Sequence, residues 1–214
     1  RGIKCLSLFF IDEVAKYRQY DEDGKKILGR YGEIFEQEYR AELNENQNMY
    51  DPEYMQYLSC IPVNKTHEGY FSIDPKTKRF KDSDEKKGAG SDDVSAYDLI
   101  MKDKERLLSL DPIYSPVRFI FSHSALREGW DNPNIFQICS LRQANSISQK
   151  RQEVGRGLRL CVDNKGVRQD ADTLQGQVQQ INRLTVIASE GYADFVNDLQ
   201  KNISEDLYDR PKVA

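Results

Sequence analysis

The stretch VRFIFSHSALREGWDNPNIFQICSL, residues 117–141, contains two short apolar runs separated by a polar segment. VRFIFS (117–122) and IFQICSL (135–141) have the length and the aromatic and β-branched content of strands buried in a sheet. Each run is followed by a segment that can be helical. Alternation of buried strands and helices predicts a parallel sheet with helices on both faces.

Two more apolar runs extend this pattern toward the ends of the chain. KCLSLFFID (4–12) is nearly continuous in apolar residues, and LTVIAS (184–189) precedes a helix-like pattern from Glu190 to about Ile203. The sequence therefore predicts an α/β fold whose parallel core is built from strands at 4–11, 117–122, 135–141 and 184–189.

The region between the first two core strands has mostly helical periodicity. Apolar residues from Gly24 to Asn48 recur at spacings of three and four, which predicts a long helix with one apolar stripe. Pro52 then opens a second, shorter helix through Tyr57. Residues from Val94 to Leu110 return to helical spacing.

A hairpin and a polar loop interrupt these helices. GYFSIDPKTKRFKD (69–82) alternates and then turns at Asp74, which is typical of a β-hairpin. The following stretch, 82–93, is charged and contains glycine, as flexible loops do. We therefore predict a single domain over 1–214, with a largely helical insertion at 24–115 that carries the hairpin.

Composition limits the classes of function. The 214 residues include 31 Lys and Arg against 35 Asp and Glu, a net charge of −4. This balance argues against a protein that coats nucleic acid with a general basic field, but allows a local basic groove. No window approaches the ~18 apolar residues of a membrane span, so no membrane association is expected.

Cysteine usage and the chain ends add two further expectations. The four cysteines are dispersed, with no C-x-x-C pair and no histidine at ligand spacing, which argues against zinc and predicts no metal site. Free thiols without a signal peptide favour a reducing, cytoplasmic location. Because the chain begins RGIKC without Met, we expect it to be a piece of a longer protein.

The segment QKRQEVGRGLRL (149–160) concentrates arginines around two glycines. On a helix, Arg156 and Arg159 would share one face, and Gln152 would lie on roughly the same face. Gly155 and Gly157 remove side chains beside Arg156, so that a ligand could approach the backbone closely. The planar guanidinium group is well suited to binding phosphate.

Two interpretations of this arginine segment are open. The arginines could form a solvated face that complements the dipole at a helix end. Alternatively, they bind phosphate at the carboxyl edge of the sheet, where ligand sites of parallel sheets lie. Both 122–134 and 149–160 follow predicted strands and are expected at that edge.

The motif spacing resembles that of a known group of enzymes. Gln152, Gly155, Arg156 and Arg159 form Q-x-x-G-R-x-x-R, which resembles motif VI of superfamily 2 helicases and translocases. ALREGWDNPN (125–134) resembles their motif V, in an R-E-G-x-D-x-P form. The wider pattern, from LSLFFIDEVAKYR through GYFSID and RFKD to LTVIASEGYADFVNDLQ, looks like the motor part of the Res subunit of type III restriction enzymes.

This resemblance covers nearly the whole chain and implies the fold and the activity. It implies a second RecA-like domain, which supplies arginines to ATP hydrolysis at a cleft between two motor domains. Arg159 would be the arginine finger on the γ-phosphate, with Arg156 beside it. The other implied ATP-site residues are Gly129, Asp131, Gln152 and Gly155, and the implied DNA-backbone contacts are Ser122, Ser124 and Arg127. The threonine common in motif V of other branches is missing here.

The resemblance also implies cofactors and partners for the full-length enzyme. ATP and Mg²⁺ would be bound mostly by a first motor domain outside this sequence, with no cofactor held by this fragment alone. The implied partners are double-stranded DNA, the first RecA-like domain and a nuclease domain of the same chain, and a modification (methyltransferase) subunit.

Two sequence features restrict the activity of this segment. No G-x-x-x-x-G-K-[ST] phosphate loop occurs, so this fragment alone is expected not to hydrolyse ATP. FFIDE (9–13) imitates the Mg²⁺-binding motif II, but we interpret 4–13 as the motif IV strand of a second domain. The competing hypothesis is a non-catalytic nucleic-acid- or protein-binding domain with a degenerate RecA-like fold.

Overall fold

The computed structural model describes residues 2–74, 76–77, 79–82, 106–123, 132–142, 147–187, 194–201 and 204. Within this part of the chain the strands are β1 (Leu6–Phe10), β2 (Arg18–Tyr20), β3 (Lys26–Leu28), β4 (His67–Tyr70), β5 (Ser72–Ile73), β6 (Phe80–Lys81), β7 (Phe119–Ser122), β8 (Ile135–Ser140) and β9 (Thr185–Ile187). The helices are α1 (Arg30–Glu45), α2 (Pro52–Ser59), α3 (Ile147–Gly155), α4 (Ala171–Leu174) and α5 (Val178–Ile181), and residues 194–201 are also helical.

A five-stranded parallel sheet in the order β4-β7-β1-β8-β9 forms the centre of the fold. Every neighbouring pair in it is parallel. The predicted parallel core is therefore confirmed, with β1, β7, β8 and β9 lying inside the four predicted stretches. The α/β class is confirmed as well.

Helices cover both faces of this sheet because its strands alternate two apolar surfaces. Leu8 lies in register between Ile120 and Ile138, and all three are fully buried on one face. On the opposite face, Phe9 stacks on Phe121, with ring centroids 4.7 Å apart. Phe35 of α1 packs against that second face. Helix α3 and residues 194–201 pack over the first face beside β9.

Strand β4 was not predicted, because residues 69–70 were assigned to a hairpin. In the structure, His67–Tyr70 pairs in parallel with β7 at the edge of the central sheet. The hairpin itself is confirmed but shorter, with β5 pairing antiparallel to β6. Its turn is closed by Asp74, whose side chain accepts hydrogen bonds from the backbone of Lys76 and Thr77 at 2.9 and 2.8 Å.

The predicted helix from Gly24 begins too early. Helix α1 starts at Arg30, whereas Ile27 and Leu28 lie in β3, paired antiparallel with β2. The hairpin turn is set by Asp21, which accepts a hydrogen bond from Lys25, and by Gly24 at a φ of 77°. Two apolar residues at the end of a strand happened to match the helical spacing of the stripe that follows.

The predicted helix at Pro52 is confirmed. Asp51 caps its first turn by accepting hydrogen bonds from the backbone of Glu53 and Tyr54, at 2.9 and 3.3 Å. Proline at the first helical position leaves no backbone donor unsatisfied there. The helix extends two residues beyond the predicted end, to Ser59.

Most of the predicted helix at 94–110 and the loop at 82–93 lie outside the described residues, which resume with a 3-10 turn at Arg106–Leu108. The stretch 24–115 contributes β4 to the central sheet, so it is not wholly peripheral. Its bounds as an insertion, and the single domain over 1–214, stay predictions. No described helix is both long and apolar enough to cross a membrane.

Candidate functional site

The two arginines lie just beyond α3 rather than on it. Helix α3 ends at Gly155, and the chain then turns, with the Arg156 N–H donating to the Glu153 carbonyl at 3.2 Å. The Gly157 N–H donates to the Val154 carbonyl at 3.0 Å. The prediction that the two arginines share a helical face is therefore wrong. The glycines at 155 and 157 favour an end to the helix, and it stops before Arg156.

Both arginines reach the surface, as expected for groups that meet a ligand. Arg159 is exposed and Arg156 is half-buried, while Gln152 is exposed on the last turn of α3. Arg159 lines a cleft of about 970 Å³. The other lining residues come from three segments: Leu108, Ser109, Leu110 and Asp111; Pro133; and Leu160, Val162, Asp163, Asn164, Lys165, Gly166 and Arg168.

This cleft lies at the amino-terminal edge of the sheet, not at the predicted carboxyl edge. Pro133 immediately precedes β8, and Gly157 packs against Leu184, which immediately precedes β9. The reason is the crossover geometry of parallel strands. A helix between two such strands returns the chain to the edge where the next strand begins. The expectation that 149–160 stays at the carboxyl edge is therefore wrong for Arg159.

Asn134 joins the two segments that carry the motif resemblance. Its side-chain Nδ2 donates to the Val162 carbonyl at 2.9 Å, and its Oδ1 accepts from the Val162 N–H at 2.9 Å. Asn132 accepts a hydrogen bond from the Asn134 backbone at 3.0 Å, and both asparagines are fully buried. The end of 125–134 and the chain after Arg159 are thereby fixed together. The sequence analysis missed this role, although two asparagines around a proline, in DNPN (131–134), are typical of a turn fixed by side-chain hydrogen bonds.

A buried ion pair fixes α3 to the other edge of the sheet. Arg142, just after β8, donates to Glu153 Oε1 from Nη2 at 2.6 Å and from Nε at 3.1 Å. Its Nη1 donates to the His123 carbonyl at 2.6 Å, next to the end of β7. The Glu153 side chain is fully buried. Because breaking one side of such a pair leaves an uncompensated buried charge, α3 is held firmly in this orientation.

The two glycines have different roles. A Cβ atom at Gly157 would lie 2.4 Å from Leu184 Cδ1, so a side chain at this position would require Leu184 to move. A Cβ atom at Gly155 would meet nothing within 4 Å. The interpretation of Gly157 as space for a ligand is therefore wrong, because internal packing occupies that space. Only Gly155 faces open space.

The cleft presents more cations than carboxylates. Three cationic side chains line it, those of Arg159, Lys165 and Arg168, against Asp111 and Asp163. Asp111 accepts hydrogen bonds from two backbone N–H groups of its own turn, at 2.8 and 2.9 Å, and these bonds lower the pKa of its carboxyl group. Asp163 likewise accepts two backbone bonds at 2.9 Å. The carboxylates thus stabilise turns, and the net charge of the cleft favours an anion.

Comparison with known proteins gives relatives of a single kind. No protein-family model matches the chain. The chain is 46% identical over 164 residues to the Res subunit of the type III restriction-modification enzyme EcoPI from Escherichia phage P1, and equally to that of EcoP15I from Escherichia coli. Each match covers 75% of this chain and 15% of the relative. The Res subunit of StyLTI from Salmonella typhimurium is 38% identical over 179 residues, 78% of this chain and 17% of that protein.

This chain is a homologue of the type III Res subunits. It spans about 15% of the length of the relatives EcoPI and EcoP15I. The resemblance drawn from motifs is thereby confirmed at the level of the Res subunit.

The remaining predicted residues of this Res homologue fall into two groups. Ser124, Arg127, Gly129 and Asp131 lie outside the described residues. Ser122 ends β7 at the carboxyl edge, opposite the Arg159 cleft, and its side chain is fully buried. Its hydroxyl therefore does not reach DNA in this conformation.

The Asp12-Glu13 pair of the Res homologue is engaged by a lysine. Lys16 forms ion pairs with Asp12 and, at 3.1 Å, with Glu13. Tyr31 also donates to Asp12, at 3.4 Å. The described residues include no cluster of three or more His, Cys, Asp or Glu side chains that could hold a metal ion.

Proposed function

We propose that this Res homologue is the second motor domain of an ATP-dependent DNA translocase within a type III restriction endonuclease. In this proposal Arg159 is the arginine finger that meets the γ-phosphate of ATP, and Arg156 assists it. The observation that supports the role of Arg159 is its exposure in a cationic cleft at the amino edge of the sheet.

The surroundings of Arg159 support a cleft shared with another domain. Leu158 and Leu160, on either side of it, are 53% and 37% exposed. Exposed apolar side chains that flank an exposed arginine suit a surface that another domain covers.

The proposed chemistry is stabilisation of charge in the transition state. A guanidinium group placed on the transferring phosphoryl group contributes about 10³- to 10⁵-fold in rate in well-studied nucleotidases. Gln152 and Gly155 would lie close to the nucleotide on the last turn of α3. ATP with its Mg²⁺ would be bound mostly by the first motor domain, which supplies the phosphate loop.

DNA contact is assigned to the opposite, carboxyl edge. We propose Ser124 and Arg127 for it, because they follow β7 there. The proposed partners are double-stranded DNA, the first RecA-like and nuclease domains of the same chain and the modification subunit, in the cytoplasm.

The test is ATP hydrolysis by the full-length protein with and without double-stranded DNA. The proposal predicts DNA-stimulated hydrolysis, and no hydrolysis by the 214-residue chain once a cooperative melting transition shows that the chain is folded. Full-length protein that binds DNA without hydrolysing ATP would favour the non-catalytic binding domain instead. Hydrolysis by the 214-residue chain alone would contradict the two-domain site.

A further inference from the structure

Helices α1 and α2 carry an aromatic groove that has no role in the proposed ATP site. The groove has a volume of about 640 Å³ and lies between these helices and the second face of the sheet. Tyr50 and Tyr54 line it and are 37% and 41% exposed, and the neighbouring Met49 is 80% exposed. Three large exposed side chains this close together in the chain suit an interaction surface.

The helices that carry this groove are rich in acidic residues. Residues 30–57 contain seven Asp and Glu but only two Arg and no Lys, a net charge of −5 that exceeds the −4 of the whole chain. Glu38 and Glu42 line the groove itself and are exposed, so among its described lining residues two carboxylates face one cation, Arg118. Phosphate groups of nucleic acid would be repelled here, whereas a cationic side chain would be attracted.

Tyrosines of α2 already bind one guanidinium group of the protein itself, that of Arg118. Arg118 lies over the rings of Tyr54 and Tyr57, at 5.7 and 5.9 Å from their centroids. Its Nη2 donates to the Tyr54 hydroxyl at 2.7 Å. Tyrosine faces attract guanidinium groups through the ring quadrupole. Tyr50 lies further out, packed edge-to-face against Tyr54 and hydrogen-bonded to Glu42 at 3.4 Å.

We propose that this acidic tyrosine groove docks a segment of a partner protein that presents arginine side chains. An arginine would stack on Tyr50 while its guanidinium group pairs with Glu38 or Glu42. Arginine fits better than lysine because its planar group can stack and form forked hydrogen bonds at once. This inference is independent of the proposed role of Arg159, since the groove is built from α1, α2 and the second face of the sheet.

The test measures fluorescence anisotropy of a labelled nonapeptide of alternating glycine and arginine, titrated with the full-length protein. The double variant Glu38→Gln/Glu42→Gln should weaken binding about three- to tenfold, because it removes two partly exposed charge pairs. Tyr50→Ala should also weaken it. The matched control, Glu22→Gln/Asp23→Asn, removes two exposed charges from the turn between β2 and β3, outside the groove, and should change affinity less than twofold, as roughly expected for surface charges away from the site.

Several outcomes would overturn the proposal. Equal weakening by the control pair would show general electrostatic attraction, and no binding of the arginine peptide would show that no such site exists. Equal binding of a lysine peptide that is insensitive to Tyr50→Ala would remove the stacking role. If sedimentation shows self-association that Glu38→Gln/Glu42→Gln abolishes, the occupant is a second copy of the chain and the partner segment is wrong.

Discussion

Asn134 and Val162 are joined by two hydrogen bonds of 2.9 Å each, although 28 residues separate them. The buried asparagine side chain pairs with the backbone of Val162 much as a neighbouring strand would. This link holds the start of β8 next to the segment that leaves Arg159. Because Pro133 and Val162 both line the cleft at the amino edge, this buried amide connects two of its walls.

Replacing Asn134 with alanine should destabilise the fold by about 1–3 kcal/mol, because the Val162 N–H and carbonyl lose buried partners. Urea denaturation at constant pH measures this change. Asn48→Ala is the matched control, since Asn48 is exposed and its loss should stay within about 0.5 kcal/mol. A loss at Asn134 no larger than that of the control would show that the link is not important for stability.

Alanine substitutions at the two glycines should differ in their effect on stability. Gly157→Ala should lower the free energy of unfolding by about 1–3 kcal/mol, because its methyl group would overlap Leu184. Gly155→Ala should be neutral or stabilise by up to ~1 kcal/mol, because alanine favours the last helical turn and has open space there. Thermal melting of both variants checks the contrast, and equal melting temperatures would contradict the close contact with Leu184.

Lys4 should make stability depend on pH above neutrality. Burial, with the nearby charges of Arg118 and Arg106, lowers the pKa of Lys4 to about 7. Its Nζ lies 2.5 and 2.6 Å from the backbone and side-chain oxygens of Ser115. Between this pKa and the ordinary value of 10.5, the unfolded chain binds a proton that the folded chain has released. The contribution of Lys4 to stability should therefore rise with pH in this window, by at most about 1.4 kcal/mol per pH unit.

The comparison that isolates this effect is Lys4→Met, which keeps an apolar stem in place of the buried lysine. Urea denaturation at pH 7, 8, 9 and 10 should show wild-type stability rising relative to that of the variant. Below the folded pKa the difference should become constant. Parallel pH profiles of the two proteins across this window would show that Lys4 is not perturbed.

The central strands were predictable because a continuous apolar run is a local signal. LSLFF of β1 and FIFS of β7 are largely buried on both faces of the sheet, and their almost wholly apolar composition indicates this burial. Strand β4 has no such signal, since its sequence is HEGY. His67 of β4 is buried, and a hydrogen bond of 2.7 Å joins its Nδ1 to the Tyr17 hydroxyl, a partner 50 residues away in the chain. Local patterns do not contain such long-range pairs.

The geometry around the proposed site was not predictable from the sequence. The spacing of Arg156 and Arg159 suggested a helical face only as long as the helix was assumed to continue past Gly155. The contacts that fix the segment, Arg142 with Glu153 and Asn134 with Val162, join residues 11 and 28 positions apart. Each involves a polar side chain whose burial depends on the assembled sheet, which explains why the sequence alone did not reveal it.

The most direct measurement compares Arg159→Ala with wild type in the full-length protein, recording kcat for ATP hydrolysis, ATP affinity and melting temperature together. The account predicts a fall in kcat on the order of 10³-fold or more, little change in ATP affinity and an unchanged melting temperature. Arg151→Ala, which removes an exposed arginine from α3, is the control and should leave all three unchanged. Unaltered kcat in Arg159→Ala, or a kcat loss matched by early melting, would contradict the role of Arg159 as an arginine finger.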